Sequence, residues 1–112
     1  MKALYTYSEN HTYEHYYVNT RNFAWQNLKG VQFGDADTEP ATYWKFADHL
    51  YVFGWREKII PCAPVWFVNF EQNRETGVFL AATEEGIIQA KPGGAIIQKL
   101  NQTFYPNDLK PI

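Results

Sequence analysis

The sequence predicts an all-β protein built from about eight short antiparallel strands, arranged as a barrel or a sandwich. Aromatic residues make up 18% of the 112 residues, as eight Tyr, eight Phe and four Trp, and such side chains suit the pleated, half-buried surface of a sheet. Turn-forming residues also interrupt the chain at fairly even intervals. The runs between them have the length and spacing of strands in a small antiparallel barrel or sandwich.

The predicted strands are the runs, rich in aromatic and β-branched residues, that lie between these turn-forming residues. In order, they cover residues 3–7, 12–18, 23–28, 42–47, 50–57, 65–70, 76–82 and 95–100. Two intervening stretches are interpreted differently. Acidic residues before Pro40 leave a short helix at residues 35–42 as an alternative, and residues 91–94, Lys-Pro-Gly-Gly, predict a turn between strands.

Length and composition predict one cytoplasmic domain spanning residues 1–112. No window approaches eighteen consecutive apolar residues, and the first run ends at Ser8, so neither a membrane span nor a signal peptide is expected. The single cysteine, Cys62, cannot form an internal disulfide. Ten Lys and Arg stand against twelve Asp and Glu without a basic cluster, which argues against nucleic acid as a partner because phosphate neutralisation needs a basic surface.

The fifth predicted strand is apolar on both faces for much of its length. Leu50 and Val52 alternate with Tyr51 and Phe53, although a sheet with one face in water needs only one apolar face. The outside of this strand should therefore pack against something, and we expect a homodimer.

Glu57 is the leading candidate for acid/base chemistry. It follows Trp55 by two residues, so alternation directs both side chains the same way on a strand. If that way is inward, the carboxyl group enters an aromatic cavity, its pKa rises, and it can act as a general acid or base near neutrality. The alternative is that Glu57 lies at a strand end and pairs on the rim with Arg56 or Lys58.

Tyr5 and Tyr7 share one face of the first predicted strand. Their side chains should lie about 7 Å apart from the rise of a strand, which would let two phenols hydrogen-bond two oxygens of one ligand. The alternative, common for tyrosines in β proteins, is a core or interface role. On the next predicted strand, Tyr13, His15 and Tyr17 share one face.

Neither a metal site nor a nucleotide site is predicted, and no cofactor is expected. His11 and His15 are four residues apart, which separates them by roughly 13 Å on an extended strand, too far to share one ion. The glycines at 30–34 and at 91–94 lack the spacing and the following helix of a phosphate-binding loop. Cys62 has no nucleophile motif and is interpreted as a small apolar residue.

Several strings in the chain resemble the molybdenum-cofactor-biosynthesis-protein-F-like (MoaF-like) family. They are YEH at 13–15, GDADT at 34–38, YWKFADHLYVFGWREKIIP at 43–61, RETG at 74–77 and GA at 94–95. The resemblance covers most of the chain. It implies the family's calycin or lipocalin-like fold, a small antiparallel β-barrel open at one end, in agreement with the predicted strands.

A more distant similarity links the chain to phenolic acid decarboxylases, which are also calycin-like. The matching features are the Tyr5-Thr6-Tyr7 strand, the Tyr13-Glu14 pair and the Trp55-Arg56-Glu57 strand end. This resemblance implies ligand binding by Tyr5 and Tyr7 and proton transfer by Glu57. Those enzymes carry an arginine where this chain has the acidic sequence Gly-Asp-Ala-Asp at 34–37, which favours a ligand less acidic than a phenolic acid.

Together these observations predict a barrel that holds a small aromatic or apolar molecule. The interior is expected to be lined by some of Tyr5, Tyr7, Tyr13, Trp25, Trp44, Trp55 and Phe67. With Glu57 as the acid/base, the predicted activity is a cofactor-free lyase, decarboxylase or isomerase reaction. Two alternatives remain: a noncatalytic carrier or sensor that uses the same cavity, and a structural dimerisation module whose interior is completely filled.

Overall fold

The computed structural model describes residues 1–58 and 62–102. Residues 59–61, inside the longest of the family-like strings, and residues 103–112 of the predicted domain lie outside the described residues. The strands are β1 (Lys2–Ser8), β2 (His11–Tyr17), β3 (Asn22–Lys29), β4 (Ala36–Ala47), β5 (Leu50–Trp55), β6 (Cys62–Asn69), β7 (Arg74–Ala82) and β8 (Ile88–Asn101).

The eight strands form one closed antiparallel barrel. Each strand pairs with the next, and β8 returns to pair with β1, so that Lys2 lies opposite Asn101 and Tyr5 opposite Ile97. The predicted all-β barrel of about eight strands is confirmed. No helix within the described ranges has the length and apolar character needed to cross a membrane.

The structure excludes the alternative of a helix at residues 35–42, and the predicted turn at residues 91–94 is wrong. Residues 36–42 belong to β4, where Asp37 pairs with Trp25 and Glu39 with Phe23, because pairing with β3 outweighs local helix propensity. Residues 91–94 belong to β8. A Cβ on Gly94 would lie 2.8 Å from the carbonyl oxygen of Glu75, so glycine here permits close approach of β7 and β8.

Aromatic side chains fill one part of the barrel. Tyr17, Phe23 and Phe53 are essentially without solvent exposure, and the Phe53 ring lies 5.5 Å from that of Tyr17 and 5.9 Å from that of Phe23. Such edge-to-face pairs stabilise beyond the area they bury. The residues of this core are Met1, Ala3, Tyr5, Tyr17, Phe23, Trp25, Tyr51, Phe53, Trp55, Trp66, Val68, Phe70, Ala95 and Ile97.

Trp44 and Phe67 lie outside the barrel, and the prediction that they line its interior is wrong. Trp44 is 67% exposed and Phe67 is 50% exposed. The reason is strand alternation: β4 directs Tyr43 inward, and β6 directs Trp66 and Val68 inward. Together with the 47% exposed Phe46, whose ring lies 6.4 Å from that of Phe67, Trp44 and Phe67 form an exposed set that we call the outer aromatic patch.

Candidate functional site

The rest of the barrel interior contains a cavity of about 350 Å³. Residues of seven strands line it, together with Glu57. They are Tyr7, His11, Tyr13, His15, Trp25, Trp55, Glu57, Cys62, Phe79, Ala81 and Lys91. His11 and Lys91 are exposed and mark the mouth, whereas His15 is 2% exposed and marks the inner end.

Alternation along neighbouring strands places the aromatic walls of the cavity. His15 of β2 lies opposite Trp25 of β3, and both side chains point inward. Tyr13, two residues before His15, packs its ring 6.0 Å from that of Trp25. Its hydroxyl donates a hydrogen bond to Oε1 of Gln32 at 2.6 Å, so the ring is the part of Tyr13 that remains available to a ligand.

Glu57 lies in the cavity wall, just after the end of β5. Its backbone amide donates to the carbonyl oxygen of Cys62 at 3.0 Å, which fixes the chain where it leaves the barrel. The carboxyl group is partly buried, and its Oε2 has no hydrogen-bond partner among the described residues. Loss of hydration raises the pKa of Glu57, while contacts with Cys62 and Trp55 oppose this shift.

Tyr5 and Tyr7 point inward together but occupy different places. Tyr7 lines the cavity. Tyr5 is fully buried below it, where its ring stacks on His15 with centroids 4.2 Å apart and its hydroxyl hydrogen-bonds that of Tyr17. The two phenols therefore do not form a joint clamp on the cavity wall. Burial raises the pKa of both well above the usual value, so both hydroxyls keep their protons.

Glu75 is a buried acid that the sequence reasoning missed. It is 3% exposed on the inner face of β7, and the Tyr7 hydroxyl donates a hydrogen bond to its Oε1 at 2.7 Å. Burial raises the pKa of Glu75 to about 8, against the opposing effect of the bond from Tyr7. The signal was present: Glu75 alternates with Gly77, Phe79 and Ala81, but the predicted strand began one residue too late.

His15 is the second residue whose position the sequence did not reveal. It lies in a cage of rings, with the Phe23, Phe53 and Trp55 centroids 5.4 Å, 6.2 Å and 5.9 Å away. Burial lowers the pKa of His15 to about 3, so the imidazole is neutral at physiological pH. Its Nδ1 has no hydrogen-bond partner within the part of the chain that the structure describes.

A third buried carboxyl group lies outside the cavity lining. Glu39 of β4 has no exposed surface, and burial raises its pKa, with a further increase from the charge of Asp37. Lys58 offsets part of this effect, and its Nζ also contacts Oδ1 of Asp37 at 3.2 Å. The Asp37–Lys58 pair therefore joins strand β4 to the segment after β5, and the charge of Glu39 adds to the rise in the pKa of Glu57.

No group of three or more His, Cys, Asp or Glu side chains in residues 1–58 and 62–102 is arranged to hold a metal ion. Cys62 and Glu57 are neighbours in the cavity wall, and burial raises the pKa of the Cys62 thiol to about 12. The thiol therefore stays protonated, which makes it a poor nucleophile. Among the described lining residues, the carboxyl group of Glu57 is the candidate for proton exchange with a ligand.

The fold and sequence have known relatives. A solved structure described as a "putative beta-lactamase from Burkholderia vietnamiensis" has a TM-score of 0.65 with 14% identity, covering 87% of this chain and 90% of that one; at this identity the similarity shows the fold alone. Protein MoaF of Klebsiella aerogenes is 40% identical over 107 residues, 94% of this chain but 41% of the relative. The MoaF C-terminal domain model matches residues 1–103. The chain therefore belongs to the MoaF C-terminal domain family.

Proposed function

We propose that the barrel binds a small aromatic or apolar molecule in its cavity and transfers a proton to or from it through Glu57. The observation that carries this proposal is a carboxyl group in an aromatic wall, with one oxygen that lacks a protein partner among the described residues. No described protein group therefore competes with a bound molecule for this oxygen. The raised pKa of Glu57 brings it closer to the range in which a general acid or base works at neutral pH.

The size and lining of the cavity support the proposed ligand class. A volume of about 350 Å³ lies at the lower end of the range for small-molecule sites. The rings of Tyr13, Trp25, Trp55 and Phe79 line it, and flat aromatic walls suit a flat ligand because stacked and edge-to-face contacts are both favourable.

The proposed reaction is a lyase, decarboxylase or isomerase step without a cofactor. Glu57 would donate or accept the proton, and the ring walls would exclude water from the reacting atoms. The residues proposed to contact the ligand are those that line the cavity. Trp44 and Phe67 are not among them, because they lie on the outer surface of the barrel.

A noncatalytic carrier or sensor is the second candidate. It is favoured by the largely aromatic wall, in which the Tyr13 hydroxyl already donates a hydrogen bond to Oε1 of Gln32. A wall that offers rings and few donors can retain an apolar molecule without changing it.

The decisive experiment incubates the protein with a mixed panel of phenolic acids, aromatic amines and unsaturated lactones. Mass spectrometry then measures which compounds are retained and which are converted. An enzyme produces a new mass, and Glu57→Gln abolishes this product while most of the ligand affinity remains. A carrier retains a compound unchanged. If no panel member is retained or altered, the cavity does not serve small aromatic molecules.

A matched control separates the role of Glu57 from the effect of removing any carboxylate. Glu84→Gln makes the same chemical change in an exposed turn and should leave retention and turnover unchanged. Equal activity in wild type, Glu57→Gln and Glu84→Gln would rule out Glu57 as the acid/base.

We also propose that a second copy of the chain covers the outer aromatic patch. Trp44, Phe46 and Phe67 lie on β4 and β6, on either side of β5, whose outward residues Leu50 and Val52 are also apolar. A contiguous exposed apolar face of this kind is typical of an interaction surface, and a twofold dimer buries the same patch from both partners.

A further inference from the structure

The inner end of the cavity differs chemically from its mouth. The mouth carries the exposed, protonatable side chains of His11 and Lys91. We define the inner end as the part of the lining formed by the buried His15 and by Tyr7, whose ring packs 5.7 Å from the fully buried Trp66 and whose hydroxyl donates a hydrogen bond to Glu75. Any molecule that fills the cavity must therefore present one end to each of these environments.

Tyr7 connects the cavity to Glu75. Its ring lies between those of Tyr13 and Trp66, with centroids 5.9 Å and 5.7 Å away, and its hydroxyl contacts Oε1 of Glu75 at 2.7 Å. Glu75 itself is not among the lining residues and reaches the cavity through Tyr7. The second oxygen of Glu75, Oε2, is buried and has no hydrogen-bond partner among the described residues.

Proton counting shows what this pair can offer. With its raised pKa of about 8, the Glu75 carboxyl is mostly protonated at neutral pH, and Tyr7 keeps its own proton. The pair then holds two protons for one mutual hydrogen bond. If the Glu75 carboxyl donates a hydrogen bond to the Tyr7 oxygen, the Tyr7 hydroxyl can donate its own hydrogen bond to an acceptor on a ligand. If Tyr7 donates to Glu75 instead, the Tyr7 oxygen can still accept a hydrogen bond from a ligand.

The same surroundings disfavour a negative charge at this end. His15 is neutral because burial lowers its pKa to about 3, and Lys91, the one Lys or Arg among the described lining residues, is an exposed residue at the mouth. A carboxylate placed beside Tyr7 would lose hydration with no cation to compensate. An uncharged oxygen pays a much smaller desolvation penalty and gains a hydrogen bond.

We propose that the inner end of the cavity binds an uncharged hydroxyl or carbonyl group of the ligand through the Tyr7 hydroxyl, with Glu75 as the positioning residue behind it. The inference rests on the proposed small-molecule function and deepens it by assigning the ligand class. The ligand is a ring with a neutral oxygen at its buried end, and any anionic group that it carries stays at the mouth near Lys91.

Phenol, toluene and benzoate provide a direct test, because phenol and toluene have nearly the same shape and differ in a hydroxyl against a methyl group. Isothermal titration calorimetry measures the dissociation constant of each for the wild-type protein at neutral pH. In a purely apolar cavity toluene binds more tightly, since phenol loses more hydration. We expect the reverse order, phenol tighter than toluene by roughly tenfold, with benzoate weaker than phenol.

Variants identify the residue responsible. Tyr7→Phe should weaken phenol roughly tenfold while toluene is unchanged, and Tyr16→Phe, the same change on the outward face of β2, should alter neither. Glu75→Gln retains a neutral hydrogen-bonding group and should keep the preference for phenol, whereas Glu75→Leu should lose it. This rescue by the conservative variant distinguishes positioning of Tyr7 from simple filling of the core.

The outcomes separate this inference from the broader proposal. Tighter binding of toluene or benzoate than phenol by the wild type overturns the inference while a ligand-binding cavity stands. Failure of all three probes to bind overturns both. The comparison of probes in the wild type needs no variant, so it decides the question even if Tyr7→Phe fails to fold.

Discussion

A Cβ atom on Gly77 would lie 2.6 Å from Cε3 of Trp66 and still closer to the carbonyl oxygen of Val65, so the tryptophan ring and the backbone of β6 occupy the space that a side chain would need. Gly77 lies opposite Trp66 in the pairing of β6 with β7. Trp66 has no exposed surface, and it packs 5.7 Å from Tyr7 and 5.1 Å from Phe79 in the cavity wall. The glycine therefore sets the position of a ring that supports the proposed binding site.

Gly77→Ala should destabilise the protein by about 1–3 kcal/mol, because the added methyl group overpacks a filled region. Gly93→Ala is the matched control, since its Cβ would meet the same tryptophan at 3.4 Å, an ordinary contact distance. Chemical denaturation measures both changes. Equal stability of the two variants would contradict the assigned role of Gly77.

Glu75 should make the protein less stable as the pH rises. Its pKa is about 8 in the folded protein against 4.5 as the ordinary value, so between these values the folded state binds more protons than the unfolded state. The contribution is complete below about pH 4.5 and is lost as the pH rises through about 8. The expected loss is a few kcal/mol.

The measurement is the free energy of unfolding as a function of pH for wild type and Glu75→Gln. The difference between the two curves isolates Glu75 from other titrating groups. Since Gln does not titrate, the wild type should lose stability relative to the variant across this range. Parallel curves would mean that Glu75 has an ordinary pKa in the folded protein.

His15 should have the opposite effect on stability. Its pKa is about 3 in the folded protein against 6.5 as the ordinary value, so the unfolded state binds the extra proton and stability falls as the pH drops below about 6.5. NMR provides the direct measurement. The His15 imidazole resonances should remain those of the neutral ring down to about pH 4, and titration near pH 6.5 would place this ring in water.

The proposed dimer contact at the outer aromatic patch predicts the molecular mass of the protein in solution. Sedimentation equilibrium should give a dimer for the wild type and a monomer for Trp44→Lys, because a buried charge at a dimer interface is unfavourable. Ile96→Lys changes an exposed apolar residue on β8 and should leave the dimer intact. A monomeric wild type at high protein concentration would refute the proposed interface.

The sequence predicted the barrel because its signals are local and repeated. Every strand carries alternating apolar residues, so the eight elements were found even where their ends were not. The errors fall where long-range pairing decides: β4 extends back to Ala36 through its bonds with β3, and β8 continues through Gly93 and Gly94 because β7 lies against it. Neither contact can be read from local propensity.

The candidate site was predicted less completely, for a different reason. Alternation indicates which residues share a face, but which face is the interior depends on how the barrel closes. The sequence therefore grouped Trp44 and Phe67 with Trp55, although only Trp55 points inward. It also treated Glu57 as the single interior acid, because the predicted seventh strand began after Glu75, which is buried on β7.

Closure of the barrel between β1 and β8 also determines how the chain can be circularly permuted. Lys2 and Asn101 are partners across this seam, and partner Cα atoms in antiparallel strands lie about 5 Å apart. A short flexible linker can therefore join these positions, and new termini can be opened at the exposed β6–β7 turn around Glu71. Such a circular permutant should keep the same barrel and cavity while its strands follow one another in a different order.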